Sequence, residues 1–223
     1  QTAIGALLWL STRTRPDIAY AVSRMASCAT NAIPECERRL KHCLQYIAGT
    51  LDSGLFFAFP TKEEKPQLQV YSDASFSPEG GCSHTGCIAS LTYPSSQVVH
   101  AVSWLSTRQS GVVAKSSAEA ELIGLVTSHE VSLNLSFLCE ELGSPVLPIL
   151  YTDNNAALAQ LTTAAPSWRS RHISIKGEAL RQESSSGRLS ILYCKTADML
   201  ADILTKGVGA QILCKLTPIF MIK

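Results

Sequence analysis

Apolar and polar residues follow two different periods along the chain. In residues 15–29 and 33–49 the apolar positions recur every three to four residues, which predicts two helices. Pro16 and Asp17 suit the first turn of one helix, and Gly49 suits the end of the other. A short strand is predicted at 53–60, and the charged stretch TKEEKPQ at 61–67 is the best linker candidate. Residues 1–60 are therefore expected to form a small helical segment.

From residue 68 the pattern becomes that of an α/β domain. Three strands are expected in succession, and helices then alternate with two further strands. The expected elements are strands 68–73, 85–93 and 97–106, helix 116–143, strand 145–153, helices 154–162 and 172–187, strand 189–195 and helix 197–206. This order predicts a mixed five-stranded sheet flanked by helices over residues 67–206, followed by a tail at 207–223.

Four carboxylates occupy similar settings in this predicted domain. Asp73 and Asp153 follow strands, whereas Glu121 and Asp202 lie within helices. Taken singly, Asp73 is also compatible with a turn and Asp153 with the N-cap of the next helix. Taken together, acidic side chains delivered to one point from several elements suit divalent cations such as Mg²⁺ or Mn²⁺. A pair of such ions can activate a water and stabilise the leaving oxygen of a phosphodiester.

Two further acids lie close to these positions. Glu119 and Glu121 are two residues apart and cannot share a helix face. The apolar residues that follow Glu121 mark the inward side, so Glu121 is assigned to the site and Glu119 to the helix cap. Asp198 precedes Asp202 by four residues, and the two are predicted to share one face of the last helix.

The order Asp, Glu, Asp, Asp separates this chain from other nucleases of similar architecture. Transposase and integrase cores place their Glu last. Proofreading-type exonucleases carry Asp-x-Glu on the first strand, where this chain has Asp73-Ala74-Ser75. The order and settings therefore indicate an RNase H-type nuclease.

Composition sets limits on this interpretation. With 46% hydrophobic and 17% charged residues among 223, the chain can form a packed core. The formal net charge of +1 does not favour strong autonomous binding to nucleic acid, although an acidic centre would offset a basic face. The 8 cysteines show no Cys-x-x-Cys pair and no zinc-site spacing, so core thiols are expected. No secretory signal and no apolar run of about 18 residues is evident, which predicts an intracellular protein, cytoplasmic or nuclear, without a membrane-spanning segment.

Seven segments of the chain carry a specific family resemblance. They are IGALLWLSTRTRPDIAYAVSRMAS, YIAGTLDSGLFF, VYSDASF, AVSWLSTRQSGVVAKSSAEAELIGL, LYTDNNAALAQL, SRHISI and TADMLADILTK. In this order, from about residue 2 to residue 206, they resemble the C-terminal part of a copia-type LTR retrotransposon Pol polyprotein. The resemblance implies that residues 1–60 are the thumb- or connection-type tail of a reverse transcriptase, and that residues 67–206 are its RNase H domain.

The resemblance also implies roles for individual residues. Asp73, Glu121, Asp153 and Asp202 fall on the catalytic and metal-binding positions, holding two Mg²⁺ ions, for which Mn²⁺ can substitute. The implied substrate is an RNA–DNA hybrid, and the implied partner is the rest of a reverse transcriptase or a larger assembly. Residues expected to contact nucleic acid are Lys115, Ser116, Ser117, Arg169, Arg171 and His172.

Two functions from different classes follow. The first is an endonuclease that cuts the RNA strand of RNA–DNA hybrids by two-metal-ion hydrolysis. The alternative is a domesticated, non-catalytic module that serves as a structural or binding subunit. The near-neutral charge and the thumb helix at PECERRL, which lacks the family's usual His or Trp, motivate the alternative. Retention of all four carboxylates argues against it.

Overall fold

The elements of the computed structural model follow the predicted order closely. The structure describes residues 1–29, 34–58, 64–77, 82–93, 99–110, 114–162 and 171–222, with backbone alone at 162 and 171–176. The helices are α1 (Thr2–Arg13), α2 (Ala19–Ala26), α3 (Pro34–Ala48), α4 (Ser117–Glu141), α5 (Asn155–Thr162), α6 (Arg171–Ser185) and α7 (Ala210–Leu216). The strands are β1 (Gly54–Leu55), β2 (Gln67–Ser75), β3 (His84–Thr92), β4 (Val99–Arg108), β5 (Pro148–Thr152), β6 (Ser190–Tyr193) and β7 (Met221–Ile222).

Five strands form one mixed sheet in the order β4-β3-β2-β5-β6. The first three in sequence, β2, β3 and β4, pair antiparallel as a meander, and β5 and β6 then add in parallel beside β2. The parallel pairs are joined by crossover helices, as a parallel connection requires. The predicted mixed five-stranded α/β architecture is confirmed.

Helices α4, α5 and α6 cover one face of this sheet. Leu122 and Leu125 of α4 pack onto Leu68 and Val70 of β2 in a continuous buried cluster. This packing also accounts for the apolar character of α4, which by length and composition alone could cross a membrane. A helix that covers a sheet in the core of a folded domain passes the same test.

The opposite face is covered by the chain ends. Residues from α2, from the segment 199–204 and from the C-terminal tail share a second buried cluster with β3 and β4. Its members are Ala19, Ile88, Ala101, Met199, Leu200, Ala201, Ile203, Leu204, Leu216, Phe220 and Met221. Strand β7 of the tail pairs with β1 of the N-terminal segment, so the segment predicted at 53–60 contributes two residues to a separate ribbon.

A buried ion pair fixes the N-terminal helices against each other. Arg15 binds Asp17 at 2.8 Å, with side chains 5% and 1% exposed. Tyr46 of α3 donates to the same carboxylate at 2.9 Å, and Arg15 also donates to the carbonyl of Thr50 at 3.0 Å. A buried charge is costly unless it is paired and hydrogen-bonded. This network therefore fixes the position of α3 against residues 15–17, which precede α2.

The expected last helix is wrong in one respect. Residues 197–206 do not form one α-helix but two short 3-10 turns, Thr196–Asp198 and Leu200–Leu204, separated at Met199, whose ψ is 100°. The break turns Asp198 away from Asp202. Asp198 is exposed and pairs with Lys215 at 3.2 Å, so the two acids do not share a face.

Candidate active site

The sheet topology brings carboxylates to one edge. Asp73 lies near the C-terminal end of β2, and Asp153 directly follows β5, its parallel neighbour. Glu121 lies one turn into α4 above the same edge. Each of the three offers one oxygen, and these oxygens all lie within 4.8 Å of one another. Asp73 and Glu121 are buried, whereas Asp153 is half-buried.

Asn154, and not Asp153, caps helix α5. The side-chain oxygen of Asn154 accepts from the N–H groups of Ala156 at 2.9 Å and Ala157 at 3.0 Å. The carboxylate of Asp153 instead accepts from the hydroxyl of Thr196 at 2.7 Å. Asp153 therefore does not cap the helix. Thr196, in the segment after β6, holds its carboxylate toward the site.

Helix α4 begins as its sequence predicts. Ser116 is the N-cap and accepts from the N–H of Glu119 at 3.2 Å, while Glu119 reaches back to the N–H of Lys115 at 2.6 Å. The assignment of Glu119 to the cap is confirmed. Glu121 points inward and accepts a hydrogen bond from the backbone of Ala74.

Asp202 approaches the cluster from the opposite face of the sheet. It lies in the 3-10 turn Leu200–Leu204, is 4% exposed, and is outside the group of three oxygens that lie within 4.8 Å. Lys206 links it to the cluster, with its amine 2.8 Å from Oδ1 of Asp202 and 3.7 Å from Oδ2 of Asp73. The hydroxyl of Thr205 donates to the same Asp73 oxygen.

This arrangement strongly raises the pKa of Glu121. Burial raises its pKa to about 9, with smaller contributions from the charges of Asp73 and Asp153. Its buried Oε2 has no hydrogen-bond partner within the described residues. Burial also raises the pKa of Asp202 to about 6, against the opposing effect of Lys206.

These features fit a divalent cation. The cluster presents hard carboxylate oxygens, one of them buried and unpartnered, and Lys206 is the cation that contacts it, 3.7 Å from Asp73. A cation would satisfy the oxygen and offset the repulsion. The acidic cluster is therefore a candidate divalent-metal centre.

The predicted nucleic-acid contacts are only partly described. Lys115, Ser116 and Ser117 are exposed at the N-terminus of α4, the helix that also carries Glu121. Arg169 lies outside the described residues. Arg171 and His172 lie at the start of α6, where the side chains are not described. Their contacts with nucleic acid stay predictions.

Three residues at the site were not predicted from the sequence. Thr205 and Lys206 follow Asp202 directly, but their roles depend on the 3-10 turn that replaced the expected helix. Gln109 is buried at the end of β4 and donates to Thr85 at 2.9 Å and to the carbonyl of Ala120 at 2.8 Å. Gln109 thus ties the residue before Glu121 to the sheet.

Replacing Gln109 with Met tests this positioning role. The variant keeps the volume but leaves the Ala120 carbonyl and the Thr85 hydroxyl without their donor. We expect about 1–3 kcal/mol loss of stability and a roughly tenfold loss of hybrid cleavage, because Glu121 is no longer held against β3. Urea unfolding and initial cleavage rates measure the two effects. Unchanged cleavage in a destabilised variant would show that Gln109 serves only the fold.

The curated relatives of this chain are retrotransposon polyproteins. The chain is 34% identical over 212 residues to the retrovirus-related Pol polyprotein from transposon RE2 of Arabidopsis thaliana, covering 92% of the chain and 14% of the polyprotein. It is 29% identical over 210 residues to the corresponding polyprotein from transposon TNT 1-94 of Nicotiana tabacum, covering 93% and 15%. The chain thus spans about one seventh of the length of these relatives. No protein-family model matches the chain.

Among solved structures, the chain is similar to RNase H1 from the halophilic archaeon Halobacterium salinarum. The likeness has a TM-score of 0.45 at 17% identity and covers 62% of this chain and 93% of that protein.

The fold and the site define a mixed five-stranded α/β domain with an acidic centre at the edge of the sheet. Along almost its whole length, the chain is related to the Pol polyproteins of copia-type retrotransposons, as the sequence predicted. The chain belongs to this family of retrovirus-related Pol polyproteins.

Proposed function

We propose that this chain is a metal-dependent endonuclease that cuts the RNA strand of RNA–DNA hybrids. The observation that carries the proposal is the convergence of Asp73, Glu121 and Asp153 within 4.8 Å, with Asp202 joined to Asp73 through Lys206. Burying several acids at one point is unfavourable for folding alone. Clusters of acids that lower the stability of the fold are typical of functional sites.

Asp73, Glu121, Asp153 and Asp202 would hold two Mg²⁺ ions, with Mn²⁺ as a substitute. When bound, the ions supply an activated water and stabilise the departing 3′ oxygen, leaving a 5′ phosphate on the product. The chain itself orients the ligands. Thr196 holds Asp153, Thr205 holds Asp73, and the Ala74 N–H holds Glu121.

Exposed groups beside the acids suit recognition of the RNA strand. The hydroxyls of Ser116 and Ser117 and the amine of Lys115 lie at the N-terminus of α4, where the helix dipole also favours an anion. Hydroxyls and amines of this kind can contact the 2′-hydroxyls and phosphates by which a hybrid is recognised without strong sequence preference. The rest of a reverse transcriptase is the natural partner, since the related polyproteins are much longer than this chain.

Cleavage of a labelled RNA–DNA hybrid tests the proposal. Wild-type protein with Mg²⁺ or Mn²⁺ is expected to cut the hybrid but not single-stranded RNA or duplex DNA, and EDTA is expected to stop it. Asp73→Asn should lower the rate by at least about a thousandfold, because Asp73 is the acid shared between the cluster and Lys206. Asp198→Asn, at an exposed acid paired with Lys215, is the matched control and should cut normally.

One result would overturn the proposal. A folded wild-type protein that leaves the hybrid intact at high concentration with either metal ion is not this nuclease. The non-catalytic module would then be the better interpretation.

A further inference from the structure

A concave surface adjoins the acidic centre on the side of the N-terminal helices. Helices α2 and α3 form one wall, and residues 206–208 with Leu213 of α7 form the other. The cleft between them has a volume of about 650 Å³. We call it the basic cleft after the side chains that line it, which are Arg24, Arg38, Arg39, His42 and Lys206.

The cations of the basic cleft differ in how far they are compensated, since Lys206 pairs with the buried Asp202 whereas the pairs of Arg38 and Arg39 with Glu35 are exposed. Among the described residues that line it, the acidic one is Asp17, whose carboxylate is already bound by Arg15 and Tyr46. Arg24 makes no ion pair within the described part of the chain. The cleft therefore presents positive charge over a small concave area, which focuses the field on an anion.

Arg38 and Arg39 remain available although both contact Glu35. Arg39 binds Glu35 at 2.8 Å and Arg38 binds the other oxygen, with 47% and 78% of their side chains exposed. Exposed ion pairs of this kind contribute only about 0–1 kcal/mol. A phosphate can thus recruit either guanidinium at small cost, using donors that the carboxylate leaves free.

Lys206 makes the basic cleft continuous with the acidic centre. Its side chain lines the cleft, and its amine contacts Asp202 and Asp73. A polyanion whose scissile phosphate lies at the carboxylates would pass Lys206 before entering the cleft. The lining combines basic groups with apolar ones such as Ile203 and Val208, which suits a sugar–phosphate backbone better than a purely charged peptide.

We propose that the basic cleft binds the sugar–phosphate backbone of the substrate next to the cleavage point. The N-terminal helical segment is then part of the nuclease's substrate-binding surface as well as a support for its fold. A chain with a net charge of +1 would then hold a nucleic acid through a local group of cations, since four of its 19 Lys and Arg residues line the cleft. The inference rests on the proposed nuclease function for the identity of the polyanion.

Salt-dependent binding of an RNA–DNA hybrid tests the basic cleft. In a full-length Asp73→Asn background, which prevents cutting, fluorescence anisotropy measures Kd at several salt concentrations with Mg²⁺ present. Arg24→Gln combined with Arg39→Gln is expected to weaken binding about tenfold and to reduce the slope of log Kd against log salt by about 2. Lys41→Gln, on the same helix but outside the cleft, is the matched control and should change Kd less than about twofold.

A second pair guards against a folding defect. Arg38→Gln with Arg39→Gln alters only exposed side chains of α3 and should show the same loss of affinity with an unchanged Tm. Wild-type affinity and slope in both pairs would overturn the inference, and so would an equal loss in Lys41→Gln. Loss of self-association in place of hybrid binding would assign the cleft to a second copy of the chain and overturn it as well.

The outcomes also separate this inference from the nuclease proposal. If the wild-type chain cuts and the cleft variants change neither Kd nor KM, the proposed role of the cleft is wrong and the nuclease proposal stands. If the cleft variants weaken binding but the wild-type chain never cuts, the proposed role of the cleft stands and the nuclease proposal is wrong. In a cutting enzyme, the Arg24→Gln, Arg39→Gln pair should raise KM about tenfold and leave kcat unchanged, because neither arginine belongs to the acidic centre.

Discussion

Replacing Glu121 with Gln is expected to abolish cleavage and, at the same time, to stabilise the metal-free protein at alkaline pH. The amide keeps the oxygen that accepts from the Ala74 N–H but removes the negative charge. Loss of a buried metal-binding carboxylate should lower hybrid cleavage by about a thousandfold. Removal of that charge also relieves its repulsion with Asp73 and Asp153.

The sign of the stability effect follows from the raised pKa of Glu121. In the folded protein its pKa is about 9, against an ordinary value of 4.5. Between these values the folded chain holds a proton that the unfolded chain has released, so stability falls as pH rises through this window. The penalty is absent below the unfolded pKa and complete above the folded one. Asp202, with a pKa of about 6, adds a penalty of the same sign at lower pH, so the change above pH 7 belongs to Glu121.

Thermal unfolding in EDTA at pH 5, 7 and 8.5 measures this effect. At pH 8.5 the Glu121→Gln variant should be more stable than wild type by about 2 kcal/mol, or about 4–8 °C in Tm, whereas at pH 5 the two should coincide. Adding Mn²⁺ at pH 8.5 should raise the wild-type Tm and leave that of the variant nearly unchanged. Glu119→Gln is the matched control, because Glu119 serves the helix cap, and it should keep both activity and pH dependence. Parallel pH profiles for wild type and Glu121→Gln would contradict the account of the site.

Replacing Gly86 with Ala is expected to cost both stability and activity. Gly86 of β3 pairs with Asp73 and lies directly beneath the 3-10 turn that carries Asp202. A Cβ there would lie 2.6 Å from a methyl of Thr205, 2.8 Å from Cβ of Leu204 and 2.9 Å from the carbonyl oxygen of Ala201. The turn must therefore move away from the sheet. We expect a loss of about 1–3 kcal/mol and about a tenfold or greater loss of cleavage, since Thr205 and Asp202 move with it.

Gly124→Ala is the matched control for this prediction. Gly124 also lies near the site, but a Cβ there would meet atoms of Ser72, Ala74 and Asp73 at 3.4–3.6 Å, which are ordinary contacts. Because Gly124 is inside helix α4, the added methyl should stabilise by up to about 1 kcal/mol. Chemical unfolding and cleavage rates of the two variants give the comparison. A Gly86→Ala protein as stable and active as Gly124→Ala would show that the 3-10 turn tolerates displacement and does not fix Asp202.

Within the domain, the local sequence pattern correctly predicted those features that depend on a single helix or strand. The alternation in residues 68–73 and 85–93 predicted β2 and β3, and the assignment of Glu119 to the helix cap predicted the start of α4. The helix predicted at 197–206 was wrong, because Met199 and Leu200 are buried against β3 and the tail, and this packing breaks the helix into 3-10 turns. Local propensity contains no information about such a tertiary contact.

The sequence by itself determined the class of fold, the identity of the four candidate carboxylates and the relation to retrotransposon polyproteins, since these depend on residue types and their order. The tertiary structure decided how the acids meet. Parallel pairing of β2 with β5 places Asp73 beside Asp153, Asn154 takes the capping role, and Lys206 joins Asp202 to the cluster. Docking of α2 onto the far face of the sheet, with α3 packed against α2, creates the basic cleft. These features arise between residues that are distant along the chain, where spacing and periodicity give no signal and only packing brings the groups together.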